Sequence, residues 1–212
     1  MSTDALGERR TATAESIREE STLEGLSRFG AVCGVIFGLS LGVPGVIEAF
    51  TGETAVTSFI VGVGVAGFGV PALFAFHLRQ ADASGRFGAV AAAVNIIGLG
   101  LFAGSSFAYN VVLFFVEPAV FDAVLDGPSN WVILGGGAIF IIGTLLFGAS
   151  MVRTGVHPRL AAVGYTITLI LLALLGNLPD SLLSSANHVV ACVSLVWLSV
   201  RVWPGEGGGG LR

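Results

Sequence analysis

The chain has 212 residues, of which 54% are hydrophobic and only 11% are charged, and its mean hydropathy is +0.88. A soluble domain spends about a quarter of its residues on Asp, Glu, Lys and Arg, so lipid rather than water is expected to face most of this one. Ten basic residues against fourteen acidic ones leave a net charge of −4, which gives a nucleic acid nothing to bind.

From the N-terminus, residues 1–28 mix Glu8, Glu15, Glu19, Glu20 and Glu24 with Arg9, Arg10, Arg18 and Arg28 and lack the basic-then-apolar order of a cleaved signal. They are expected to stay attached as a polar cytoplasmic tail. Ile17, Leu23 and Leu26 would suit a short interfacial helix over 16–28, whereas Gly25 and the mixed charge favour a mobile segment. Six apolar stretches follow, at about 29–50, 55–78, 87–116, 131–152, 160–178 and 183–203, each near the ~20 residues that a helix needs to cross a bilayer. Backbone groups in lipid must be satisfied within the segment, so the expected fold is all-α: a six-transmembrane-helix bundle. Residues 204–212, with Gly207 to Gly210, are expected to form a flexible cytoplasmic end.

The basic residues all lie on one side of this arrangement. Arg28 precedes the first stretch, Arg79 and Arg86 lie between the second and third, Arg153 and Arg159 between the fourth and fifth, and Arg201 and Arg212 close the chain. The intervening loops carry Glu53, Glu117, Asp122, Asp126 and Asp180 and no basic residue. The arginine side is therefore expected to be cytoplasmic, with both termini on it. Arg79, Arg86, Arg153 and Arg159 become candidate contacts to lipid headgroups. Tyr109, Trp131 and Trp203 fall near the boundaries as interface anchors, and Trp197 lies deeper, where it is expected to pack inside.

The turn around Arg79 and Arg86 echoes the turn around Arg153 and Arg159. A two-helix duplication would give that match, and so would the need of any short cytoplasmic turn for arginines at its rims. On the opposite side, Glu117 and Pro118 open a stretch with Val120, Phe121, Val124 and Leu125 apolar and Asp122 and Asp126 polar, the pattern of a short helix lying in the interface. Pro179, Asp180 and Ser181 open a briefer stretch of the same kind.

Gly30, Gly34, Gly38 and Gly42 recur every fourth residue and form one stripe on the first helix. Such a stripe lets two backbones approach closely, either with other helices of the same chain or with a homo-oligomer or membrane-protein partner. Gly62 with Ala66, and Gly100, Gly104 and Ala108, extend the theme.

Little in the sequence points to catalysis, which leaves a membrane-embedded enzyme acting on lipid as the third reading, after a binding protein and an accessory subunit that associates through glycine-rich helix faces, and no cofactor is expected. Glu48 sits near the outer end of the first stretch and Arg79 near the inner end of the second, leaving no ionisable residue at mid-depth for a proton or cation pathway. His77 and His157 fall on the inner side and His188 on the outer, about 30 Å apart, unsuited to a shared haem or metal. His188 and Cys192 lie one turn apart, but two ligands make a poor metal site. What remains is uncharged polarity. Asn95, Ser106, Tyr109 and Asn110 on the third stretch, with Asn177, Asn187 and His188 around the last outer loop, are candidates to line a cavity for a small uncharged or lipophilic molecule. Interhelical hydrogen bonding is the competing use of the same residues.

Arg153-Thr154-Gly155-Val156-His157-Pro158-Arg159, within 146–161, resembles an inner loop of small prokaryotic, actinobacterial-type polytopic membrane proteins of unknown function. The resemblance implies a prokaryotic plasma-membrane location and no activity.

Overall fold

Long apolar runs satisfy their backbone groups by coiling, and every regular element among the described residues is helical. The computed structural model describes residues 3–175 and 181–203, with side chains from residue 21 onward. Six α-helices follow in order: α1 Thr3–Thr51, α2 Ala55–Phe107, α3 Pro118–Leu125, α4 Ser129–Thr154, α5 Arg159–Leu175 and α6 Leu182–Val202. A π-helix, Ala108–Val112, and a 3-10 turn, Leu113–Phe115, continue α2. Four stretches are long and apolar enough to cross a membrane: Ser21–Thr51, Ala55–Phe115, Ser129–Thr154 and Leu182–Val202. α5 has 17 residues, about 26 Å of helix.

One expectation needs correction. The polar segment before residue 29 is not a separate mobile tail with a short helix at its end, because α1 runs unbroken from Thr3 through Gly25. Glu24 and Arg28, 3.8 Å apart one turn from each other, are both about half exposed and give that stretch modest support. The second and third apolar stretches are two helices, the arms of α2, which meet without an intervening loop at Gly85 (φ 55°, ψ −152°). A side chain at that backbone conformation would be strained, so glycine makes the bend. The third stretch is α-helical to Phe107 and continues through the π-helix and the 3-10 turn to Phe115, one residue from the expected end. The expectations for Asn177, for the segment opened by Pro179, and for 204–212 fall outside the described residues.

The two arms of α2, 55–84 and 86–107, fold back on one another, with Gly69 facing Leu99 and Gly62 facing Asn110. Gly30 faces Pro71 and Ala75 of α2, while Gly34 faces Ser199 and Gly42 faces Cys192 of α6. The first helix's glycine stripe is thus covered by two helices of the same chain. Gly98 and Gly143 lie against the backbones of Phe140 and Asn95 and join the second arm of α2 to α4. Gly148 meets Thr166, and Gly164 meets Ser194. Residue numbers rise on one segment as they fall on its neighbour, so the bundle closes antiparallel in the order α1, the two arms of α2, α4, α5, α6 and back to α1.

This closure gathers the charges at opposite ends. Gly88 packs beside Ser150 and the Arg153 guanidinium stacks 5.3 Å over the Phe87 ring, which brings the Gly85 and Gly155 turns together. Arg79, Arg86, Arg153, Arg159 and Arg201 are all exposed at this arginine end. The two turns are built differently, one a break within a helix and the other a left-handed cap at Gly155. The opposite, acidic end carries Glu53, Glu117, Asp122 and Asp126, and there the short helix α3, starting at Pro118, lies between the end of α2 and α4. Between the ends the exterior is apolar: Phe29, Ile97, Ile142 and Ile167 are each more than half exposed. An apolar belt of this kind suits lipid and would be unfavourable in water. Trp197, expected inside, faces outward with 39% of its surface exposed.

Candidate functional site

Small residues pin α5 to its neighbours in the arginine half, through Gly148 against Thr166 and Gly164 against Ser194. Toward the acidic end no such pairing joins α4 and α5 among the described residues, and the last turn of α5, from Leu172, and Ile133, Gly137 and Ile141 of α4 line a common cavity. Its volume is about 550 Å³, within the range of roughly 300–1,000 Å³ usual for small-molecule sites. α1, both arms of α2, the π-helix, α3, α4, α5 and α6 all contribute to its wall.

The π-helix shapes one side of it. A wide turn re-aims the residues it carries, and such turns are frequent at functional sites. Here it presents Tyr109 and Asn110 to the cavity. The Asn110 amide donates to the Ser106 carbonyl (2.9 Å) and to the Ser106 hydroxyl (3.3 Å), holding the side chain along the widened turn. Tyr109 packs against Phe121 of α3 with ring centroids 5.8 Å apart, so the short helix covers this end of the cavity. On the far side the Ser181 hydroxyl caps α6 by accepting from the Ser184 amide (3.2 Å). Asn187 donates to the Thr168 carbonyl (3.0 Å), which fixes α6 to α5 at the cavity's depth.

The lining is divided by polarity. α1, α2, the π-helix and α6 supply Glu48, Ser58, Ser106, Asn110 and Asn187, whereas α4 and α5 present mainly aliphatic groups such as Ile133, Leu134, Ile141 and Leu172. A molecule filling this space meets dipoles and a carboxylate on one side and hydrocarbon on the other.

Of the residues singled out from the sequence, Ser106, Tyr109, Asn110, Asn187 and His188 line this cavity together. Asn95 does not. It is fully buried between α2, α4 and α5, where its amide donates to the Tyr165 hydroxyl (2.6 Å) and its carbonyl accepts from Thr144 (3.0 Å). Asn177 lies outside the described residues. Sequence reasoning missed Glu48, which it left as an end-of-helix acid. The signal was present, since Glu48 is the one acid within an otherwise apolar stretch, but its significance depends on α1 lying beside α6.

A second group of polar side chains is buried at the arginine end. The His157 ring donates from Nε2 to the Phe76 carbonyl (3.0 Å), which makes Nε2 the protonated nitrogen. Thr154 donates to the Gln80 side chain (3.3 Å). Burial pushes the His157 imidazole below its ordinary pKa, and the nearby Arg79 charge adds to that, while the bond to Phe76 opposes it. Among the described residues, no group of three or more His, Cys, Asp or Glu side chains is placed to hold a metal ion. Comparison of the chain with protein-family models, curated proteins and solved structures finds no significant match.

Proposed function

We propose that this chain is a six-span integral membrane protein of a prokaryotic plasma membrane, with its arginine end and both termini cytoplasmic. In this reading it binds, or passes, a small amphipathic lipophilic molecule in the cavity at its acidic end. The topology rests on the antiparallel order of six helical segments and on the arginines at one end. The binding function rests on one observation above all, the division of a 550 Å³ cavity into a polar wall and an aliphatic wall. Buried polar groups select by being satisfied, and hydrocarbon walls reward an apolar tail. Binding without catalysis is the role that a wall so divided fits most simply.

The test is photoaffinity labelling in nanodiscs with a decyl amphiphile that carries a diazirine in its tail. Cross-links are expected on the aliphatic wall, at 133–141 and 172–175, and unlabelled decanol should compete them away. Asn110→Leu should weaken that labelling. Uniform labelling of the exterior belt, without competition, would overturn the binding function.

A further inference from the structure

The charge of the lining carries the ligand's chemistry one step further. Among the described lining residues Glu48 is the one side chain ordinarily charged at neutral pH; the His188 imidazole also lines the cavity, both side chains already interact within the protein, and neither Arg nor Lys is present. The aromatic rings of Phe102, Tyr109, Phe114 and Phe121 also face it. An aromatic face is electronegative and attracts a cation within about 6 Å of its centroid. At the same end of the bundle as the cavity, the described connections hold Glu53, Glu117, Asp122 and Asp126 and no basic residue. The described arginines of the bundle are gathered at the other end. Like charges gathered at one end of a molecule raise the local concentration of counter-ions there, so cations are favoured at the cavity's end and anions are repelled.

We infer that the molecule taken into this cavity is a cationic amphiphile, a lipophilic amine or quaternary ammonium, with its charged head beside Glu48 and the rings and its tail against α4 and α5. The inference rests on the proposed binding function of the same cavity and adds the charge of the ligand to it. The volume and the aliphatic wall suit an amphiphile better than a bare inorganic cation. An anionic amphiphile would meet the Glu48 carboxylate with no guanidinium or ammonium to receive it. The hydroxyls of Ser58, Ser105, Ser106 and Tyr109 can turn their oxygens toward a positive head.

Three probes with one tail separate the possibilities: decyltrimethylammonium, decanol and decyl sulfate. Their binding to the full chain in nanodiscs is measured after subtracting their partition into protein-free nanodiscs. The ammonium should bind at least about tenfold more tightly than decanol, as expected for a desolvated cation beside a carboxylate and aromatic faces, and decyl sulfate should bind more weakly than either. Glu48→Gln should reduce the ammonium-to-decanol ratio by about threefold or more while leaving decanol binding in place. Phe121→Leu, which keeps the carboxylate, should reduce the ratio less. Equal affinity for ammonium and decanol, preference for the sulfate, or an unchanged ratio in Glu48→Gln would overturn the charge assignment while the cavity's binding function stands. Failure of all three probes to bind would remove both.

Discussion

The Asn95 amide donates a 2.6 Å hydrogen bond to the Tyr165 hydroxyl, seventy positions along the chain, and its carbonyl accepts one of 3.0 Å from Thr144. All three side chains are fully buried, and they sit on α2, α4 and α5. An amide in this position has no water to turn to, so each bond is retained by the cost of losing it. The triad lies on the arginine side of the cavity and joins the helices that separate further along to form it.

Replacing Asn95 with Leu should therefore destabilise the bundle by about 1–3 kcal/mol, because it leaves the Tyr165 and Thr144 hydroxyls buried without their partner. Tyr165→Phe removes the hydroxyl that bonds both Asn95 and Thr144 and should cost about 1–2 kcal/mol. Reversible unfolding in SDS–detergent mixtures measures both. Equal stability of Asn95→Leu and the parent would mean that the triad does not hold these helices.

The crossing of α2 and α4 makes a sharper test, because backbone rather than side chain blocks it. A methyl group at Gly98 would lie 2.5 Å from the Phe140 Cα, and one at Gly143 would lie 2.5 Å from the Asn95 Cα. Neither neighbour can rotate away, so Gly98→Ala and Gly143→Ala should each cost about 1–3 kcal/mol. Gly100 and Gly104 face open space, and alanine there should change stability by no more than about 0.5 kcal/mol. The four unfolding midpoints should fall into two separate pairs.

Stability should also depend on pH through His157. Its folded-state pKa lies below the ordinary value of 6.5 because burial and Arg79 disfavour the cation. The unfolded chain then binds the proton more readily, so the stabilisation is complete above about pH 6.5 and is lost as pH falls from there toward the folded-state value. His157→Gln can keep a donor to the Phe76 carbonyl without titrating. Its unfolding free energy should vary less than the parent's between pH 7.5 and pH 5, and matching profiles would exclude His157 as the cause.

Orientation can be tested chemically in a chain whose two cysteines, Cys33 and Cys192, are replaced by alanine. Asp82 and Asp122 are both exposed, one beside the Gly85 turn and the other on α3. A membrane-impermeant maleimide added to intact cells should label Asp122→Cys and spare Asp82→Cys until the membrane is opened. The reverse pattern would invert the assigned topology.

Much of this architecture is legible in the amino-acid sequence. Apolar runs mark the long helices, the arginines mark one end, and Pro118 marks the start of α3. Ser106, Tyr109 and Asn110 are recognisable as polar groups at one depth. Asn95 is misplaced by the same reasoning, because periodicity shows that a residue lies on a helix but not which helix it meets. Whether an amide faces a cavity or a Tyr from another segment depends on the crossing of α2, α4 and α5, which Gly98, Gly143 and Gly148 set by close approach. The same holds for the stripe at Gly100 and Gly104. Its spacing matches that of Gly30 and Gly34, yet it faces outward while theirs is covered. The π-helix has no residue signature in Ala108–Val112, since it arises where the end of α2 meets its neighbours.

The central claim is that the acidic-end cavity holds a lipophilic molecule, and native mass spectrometry of the protein released from nanodiscs made with its host's lipids tests it most directly. The parent should retain one defined small-molecule mass per chain. Ala138→Phe, which fills the cavity from the α4 wall, should release the protein without it. A bare parent spectrum, or the same adduct on both proteins, would contradict the account.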